Sequence, residues 1–248
     1  MAVRPVKRGS PHFSEADLTA CLRMNPYLRC IAGHSIVPYR SLGRYDGTVS
    51  YITQLREPVA RAVSQVRFWN ARMGKNFDAE AFLDHHTAAN LQTRKIAGND
   101  DVNAAKQIIR ERFLLAAAVD QFDEMVVLLS ARLGVPLEMM TYTTQNRARP
   151  TSDNALPDGF VDRLQEINEI DTELYRWVRE DLFRDYVDAY QGDFNESLSK
   201  LKSVQDTGSR HHARNMVDFL YRNLYVKPVS GGWRMINGLP YRGSYGLE

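Results

Sequence analysis

Apolar residues recur along this chain in two rhythms. Over residues 49–55 (VSYITQL) β-branched and aromatic residues alternate with polar ones, the period of a strand with one buried face. The rhythm changes abruptly at Arg56-Glu57-Pro58. Val59, Val63 and Val66 then recur at helical spacing, and Pro58 suits the first helical position, where its missing N–H costs nothing. Strand, tight turn and helix in succession predict an α/β arrangement. In such proteins the free N–H groups of a helix that follows a strand attract anions.

The remaining pattern is mostly helical. Residues 14–24 form a short helix that Ser14 and Asp17 cap reciprocally, with Leu18, Cys21 and Leu22 on one face. Residues 29–36 (RCIAGHSI) read as a short buried strand running into a loop. Residues 78–86 and 103–112 read as helices, and the apolar run 113–119 (FLLAAAV) as a strand. A helix opens at Asp120 and ends near Leu133, with Gly134 as its C-cap. Residues 156–183 read as one long helix whose stripe of Phe160, Leu164, Ile167, Leu174, Val178 and Leu182 is interrupted by a single polar residue, Asp171. That carboxylate is placed to accept a buried hydrogen bond. A further helix is expected near 211–225, followed by a Gly- and aromatic-rich ending without helical period.

Composition narrows the class. The 248 residues are 44% hydrophobic and 25% charged, which fits a globular protein and excludes a disordered or collagen-like chain. No apolar run is long enough to span a bilayer and no secretory signal is visible, so no membrane partner and a cytoplasmic location are expected. Cys21 and Cys30 make neither a disulfide framework nor a zinc site, and no metal is expected. Net charge is only +2, but residues 1–72 hold 11 Lys/Arg against 4 Asp/Glu. That bias suits an anion site or a nucleic-acid face. The chain lacks the RNP, zinc-finger and helix-turn-helix signatures, so no nucleic-acid partner is expected.

The run Leu55-Arg56-Glu57-Pro58-Val59-Ala60-Arg61-Ala62-Val63-Ser64-Gln65-Val66-Arg67-Phe68 closely resembles the L-R-D/E-P-x-x-R-x-x-S segment of sulfotransferases that use 3′-phosphoadenosine 5′-phosphosulfate (PAPS). The nearest branch holds the heparan-sulfate 2-O-sulfotransferases and bacterial carbohydrate sulfotransferases. The resemblance implies that Arg56 and Ser64 grip the 3′-phosphate of the nucleotide. A guanidinium fork suits a phosphate dianion. Ser64 lies about 9 Å of helical rise beyond Pro58, so one phosphate reaches both only if the Arg side chain folds along the helix flank.

Further segments resemble the same family in the same order. Ala32-Gly33-His34 matches a G-H at a strand end, which implies His34 as the general base that takes the acceptor hydroxyl's proton. Asn90 to Gly98 (NLQTRKIAG) matches an N-x-x-T-R stretch and implies Arg94 as a nucleotide contact. Ala118 to Glu124, Thr144 to Arg147, and Ile167 to Tyr175 match later elements, the last read as a packing helix. The family's fold would be a three-layer, P-loop-NTPase-like parallel sheet flanked by helices. Its co-substrate would be PAPS, leaving as adenosine 3′,5′-bisphosphate, and its acceptor a carbohydrate or other hydroxyl. The likeness assigns residues 1–183 to the sulfotransferase-like domain and leaves 184–248 as a C-terminal extension or linker.

One departure stands out. The family begins with a strand and a loop of the type P-K-T/S-A/G-G/S-S/T, whose amides cradle the 5′-phosphosulfate. The closest string here is Pro5-Val6-Lys7-Arg8-Gly9-Ser10, with too few residues before it for a core strand. The expectation is a domain lacking its first β-loop-α unit, or a chain whose true start lies upstream. The alternative function is a non-catalytic binding or assembly protein on a degenerate sulfotransferase scaffold.

Overall fold

The computed structural model describes residues 12–73, 79–142 and 156–206. The chain divides into two compact units, one of residues 1–48 with 207–248 and the other of residues 49–206. Four expectations lie outside the described residues: the string around Lys7, the segment Thr144 to Arg147, the helix near 211–225 and the aromatic ending.

The described part of the first unit holds α1 (Glu15–Met24) and a short turn of helix at Gly43–Tyr45. Ser14 caps α1 as its sequence requires. The Ser14 hydroxyl accepts the Asp17 amide, and the Asp17 carboxylate takes the Ser14 amide at 2.8 Å. Phe13, Leu18 and Cys21 are buried beneath it. The strand expected over 29–36 is absent. Only Ala32 makes an isolated bridge, and the residues on either side are turn or coil. Gly33 and the polar pair His34-Ser35 interrupt the apolar run before a ladder can form.

The second unit is mixed α/β and mostly helical. Its elements run β1 (Tyr51–Leu55), α2 (Pro58–Met73), α3 (Ala79–Leu83), α4 (Leu91–Ala97), α5 (Val102–Arg112) and β2 (Phe113–Ala118). There follow α6 (Phe122–Leu133), α7 (Phe160–Glu166), α8 (Glu169–Arg176), a π-helical turn (Trp177–Leu182), α9 (Phe183–Asp188) and α10 (Phe194–Asp206). Among the described residues the sheet has two strands, β1 and β2, paired in parallel with Leu55 opposite Ala118. Among these residues the parallel sheet that the family likeness implies is represented by this one strand pair.

β2 explains its own apolar run. Ala116 packs with Leu55, Ile96, Ile109 and Leu174 on one face. Leu115 and Ala117 pack with Met125, Leu128 and Phe183 on the other. A strand covered on both faces needs no polar alternation. Residues 184–206, which carry no motif, belong to the same compact unit, with Leu201 of α10 buried beside Val126 and Val127 of α6.

The single long helix expected over 156–183 is broken. α7 ends at Glu166, and Asn168 turns its side chain inward, where Nδ2 donates to the Ala88 and Leu164 carbonyls at 3.0 and 2.9 Å. Satisfying a buried amide side chain takes precedence over helical continuity there. A second disturbance is the π turn, in which the Phe183 amide donates to the Val178 carbonyl five residues back.

Candidate functional site

The C-terminal ends of β1 and β2 lie side by side, which is where open parallel sheets bind ligands. Arg56 is the first residue beyond β1 and is exposed. Its backbone is fixed at both polar atoms by one side chain. The Arg56 amide donates to Gln92 Oε1 and Gln92 Nε2 donates to the Arg56 carbonyl, each at 2.9 Å. Among the described residues the guanidinium itself has no hydrogen-bond or ion-pair partner. It is a cation on a rigid mount.

The start of α2 differs from expectation. Pro58 has no N–H, and the Glu57 carboxylate takes the next two amides, Val59 at 3.0 Å and Ala60 at 2.6 Å. The Arg61 amide closes on the Glu57 carbonyl at 2.9 Å. Every donor of the first turn is spent, so this helix terminus offers no backbone cradle to an anion. The acid of the R-E-P sequence is a helix cap. Ser64 sits half-buried in α2, the seventh residue of the helix.

Behind Arg56 lies a buried polar clamp. Asp171 is fully buried and accepts the Gln92 amide at 2.9 Å and the Thr93 amide at 2.7 Å, which caps α4. Asn168 Oδ1 accepts the Asn90 amide at 3.0 Å, and Asn90 Oδ1 accepts the Asp171 amide at 3.2 Å. Arg61 spans from α2 to the same turn. Its Nη2 donates to the Thr87 and Ala88 carbonyls, both at 3.0 Å, and its Nη1 to Gln65 Oε1 at 2.9 Å. Burial pushes the Arg61 guanidinium below its usual value, opposed by Asp171 and reinforced by Arg94. It remains cationic nonetheless. Gly98, at φ 83°, ends α4 in the left-handed conformation that a side chain would strain.

Arg94 is turned onto the chain itself. Its Nη2 donates to the His86 carbonyl at 3.1 Å and to the Ala89 carbonyl, and its Nε lies 3.4 Å from Asp100. In this arrangement Arg94 holds the 86–89 turn. His34 belongs to the first unit, where it is exposed on a turn after Ala32. Arg56, Ser64 and Arg94 thus share one unit, and His34 lies in the other.

Several residues of the strand-end region were given no role by the sequence, although Asp120, Tyr175 and Gln92 lie in segments that match the family. Asp120 follows β2 and receives Arg179 through Nε at 3.1 Å and Nη2 at 3.0 Å. Tyr175 Oη lies 3.5 Å from Asp120 Oδ1. Burial raises the Tyr175 phenol above its ordinary value, and the Asp120 charge adds to this while Arg179 opposes it. Gln92 stood inside a recognised motif, but only the tertiary structure shows that it holds Arg56. Arg179 had no sequence signal at all.

Among the described residues no cluster of His, Cys, Asp and Glu is arranged to hold a metal, and no helix is long and apolar enough to cross a membrane. Comparison with protein-family models, with curated proteins and with solved structures returns no match.

Proposed function

We propose that the unit of residues 49–206 binds adenosine 3′,5′-bisphosphate, the nucleotide half of PAPS, with Arg56 on the ribose 3′-phosphate. One observation carries the reading: a guanidinium that is exposed and has no partner among the described residues, on a residue whose backbone N–H and C=O are both held at the end of a parallel strand. The backbone that carries this cation needs no ordering on binding, and a guanidinium matches phosphate through two parallel N–H donors. Because Glu57 consumes the α2 amides, the phosphate is held by side chains, with the Ser64 hydroxyl as the second donor.

The family likeness extends this to sulfuryl transfer onto a carbohydrate or other hydroxyl. The acceptor oxygen bonds to sulfur, and the S–O bond to the 5′-phosphate breaks with its electron pair leaving on adenosine 3′,5′-bisphosphate. The acceptor proton passes to a base, a role the likeness gives to His34. No metal enters. In this reading β1 and β2 belong to a larger, P-loop-NTPase-like parallel sheet in three layers, a fold to which the covering of both faces of β2 lends support.

Calorimetric titration with adenosine 3′,5′-bisphosphate tests the reading. The wild-type chain is expected to bind, and Arg56→Ala to lose roughly tenfold to a hundredfold in affinity, the worth of a charge-assisted contact. A folded wild-type chain that gives no heat overturns it. Transfer of label from PAPS to an acceptor pool then separates an enzyme from a binding protein. In an enzyme, His34→Ala keeps the binding and loses the transfer.

A further inference from the structure

Arg56 has a neighbour across the sheet that its own motif does not announce. Leu55 pairs with Ala118, so the next residues, Arg56 and Val119, leave the ladder on adjacent strands, which lie roughly 4.8 Å apart. Val119 is 47% exposed and forms an apolar ledge. Asp120 follows it. Glu57 is near enough to act on Tyr175, which in turn faces Asp120, so the two strand ends share one electrostatic neighbourhood.

Asp120 is anchored on one side only. Its Oδ2 takes both donors of the Arg179 fork, while among the described residues Oδ1 meets only the distant Tyr175 hydroxyl, at the outer limit of a hydrogen bond. Gln121 fixes the frame. Its Oε1 accepts the Ala118 amide at 3.1 Å and its Nε2 donates to the Arg179 carbonyl at 3.0 Å. That carbonyl lies in the π turn, so Gln121 ties the end of β2 to the segment that carries Arg179. The result is a carboxylate in a set orientation, with its charge offset by Arg179 and one oxygen open to a donor.

A guanidinium without a partner among the described residues at one strand end and a half-open carboxylate at the next suit a ligand with a phosphate and a hydroxyl on neighbouring carbons. Ribose 3′-phosphate with a free 2′-hydroxyl is such a ligand. An acid at the end of a neighbouring strand serves ribose hydroxyls in other open parallel sheets. We propose that Asp120, positioned by Arg179, accepts the 2′-hydroxyl of the nucleotide whose 3′-phosphate rests on Arg56. The inference depends on the nucleotide reading above and gives the site its sugar selectivity. The hydroxyl donates to Oδ1, and no covalent bond changes.

The test compares adenosine 3′,5′-bisphosphate with its 2′-deoxy analogue by calorimetry on the full chain. The wild type is expected to bind the ribose form about tenfold or more tightly, the range for a hydrogen bond to a charged acceptor. Asp120→Ala should bind both ligands alike, at the wild type's affinity for the deoxy form. Arg179→Ala should keep a reduced preference, because the carboxylate remains but is no longer held. Equal binding of the two ligands by the wild type overturns the proposal without needing any variant, and so does a preference that survives in Asp120→Ala. If the wild type binds neither ligand, the nucleotide reading itself fails and this proposal with it.

Discussion

The clamp behind Arg56 and the strand ends around it draw on the same polar residue types and use them in opposite ways. In the clamp, Asp171, Asn168, Asn90 and Arg61 are turned inward onto backbone amides and carbonyls, with the Gln65 side chain as a further acceptor for Arg61. At the strand ends, Arg56 is exposed without a partner and Asp120 is held through one oxygen. A buried polar group must be satisfied within the fold, whereas an exposed one is free to meet a ligand. A family-like motif can therefore carry both kinds of residue. Arg61 and Glu57 support the fold, and Arg56 is left available by them.

The sharpest way to break this contrast is at Asp171. Asp171→Ala leaves two α4 amides without their acceptor and removes the negative charge that offsets Arg61. It should cost about 3 kcal/mol or more, read as a lower urea midpoint with an unchanged slope. Asp171→Asn keeps one acceptor and should lose less. Arg61→Ala removes the bonds to the Thr87 and Ala88 carbonyls together with a packed stem. It is expected to cost about 2 kcal/mol in the same assay.

A smaller effect comes from pH at the edge of the clamp. His85 Nδ1 accepts the Thr87 amide at 3.2 Å, and its ring packs on Trp69 and lies 4.2 Å from that of His86. Burial, with His86 adding to it, lowers the His85 pKa below 6.5. The unfolded chain then binds the proton more readily than the folded one. Stability is therefore fully present above 6.5 and declines as the pH falls toward the lowered value. Urea midpoints taken from about pH 7 to about pH 5.5 should fall in the wild type and fall less in His85→Gln, given an ordinary His near 6.5. A wild-type midpoint that rises on acidification contradicts the assignment.

The smallest stability effect should be at Arg56 itself. Arg56→Ala is expected to leave the urea midpoint where it was, because the side chain is exposed with no partner among the described residues and Gln92 binds only its backbone. The same variant is the one expected to lose nucleotide binding. A clear drop in stability would move Arg56 from the available group to the structural one.

Elements governed by neighbours in the chain were legible in advance. The Ser14–Asp17 cap, Pro58 at the start of α2, the strand at Tyr51–Leu55 and the left-handed Gly134 after α6 all follow from contacts within a few residues. The buried role of Asp171 was visible too, as the one polar residue on an apolar stripe. The break at Asn168 and the π turn were not visible, because helical periodicity runs straight through both. The free α2 terminus was expected from its place after a strand. Glu57 overturns this with a carboxylate that reaches two amides along its own chain.

By itself the sequence determined the strands β1 and β2, the helices α1, α2, α5 and α6, the Ser14 cap, and that a cation stands at the end of β1. Periodicity and capping act within a turn or two, so one chain in isolation records them. Only the tertiary structure decided which polar residues the fold consumes. Gln92 reaches Arg56 across 36 positions, Arg179 reaches Asp120 across 59 and Asp171 reaches Thr93 across 78. No local pattern encodes these pairings. They arise because packing of the helices sets distant segments side by side, where a buried donor such as the Thr93 amide needs an acceptor and exposed groups such as Arg179 and Asp120 meet as neighbours.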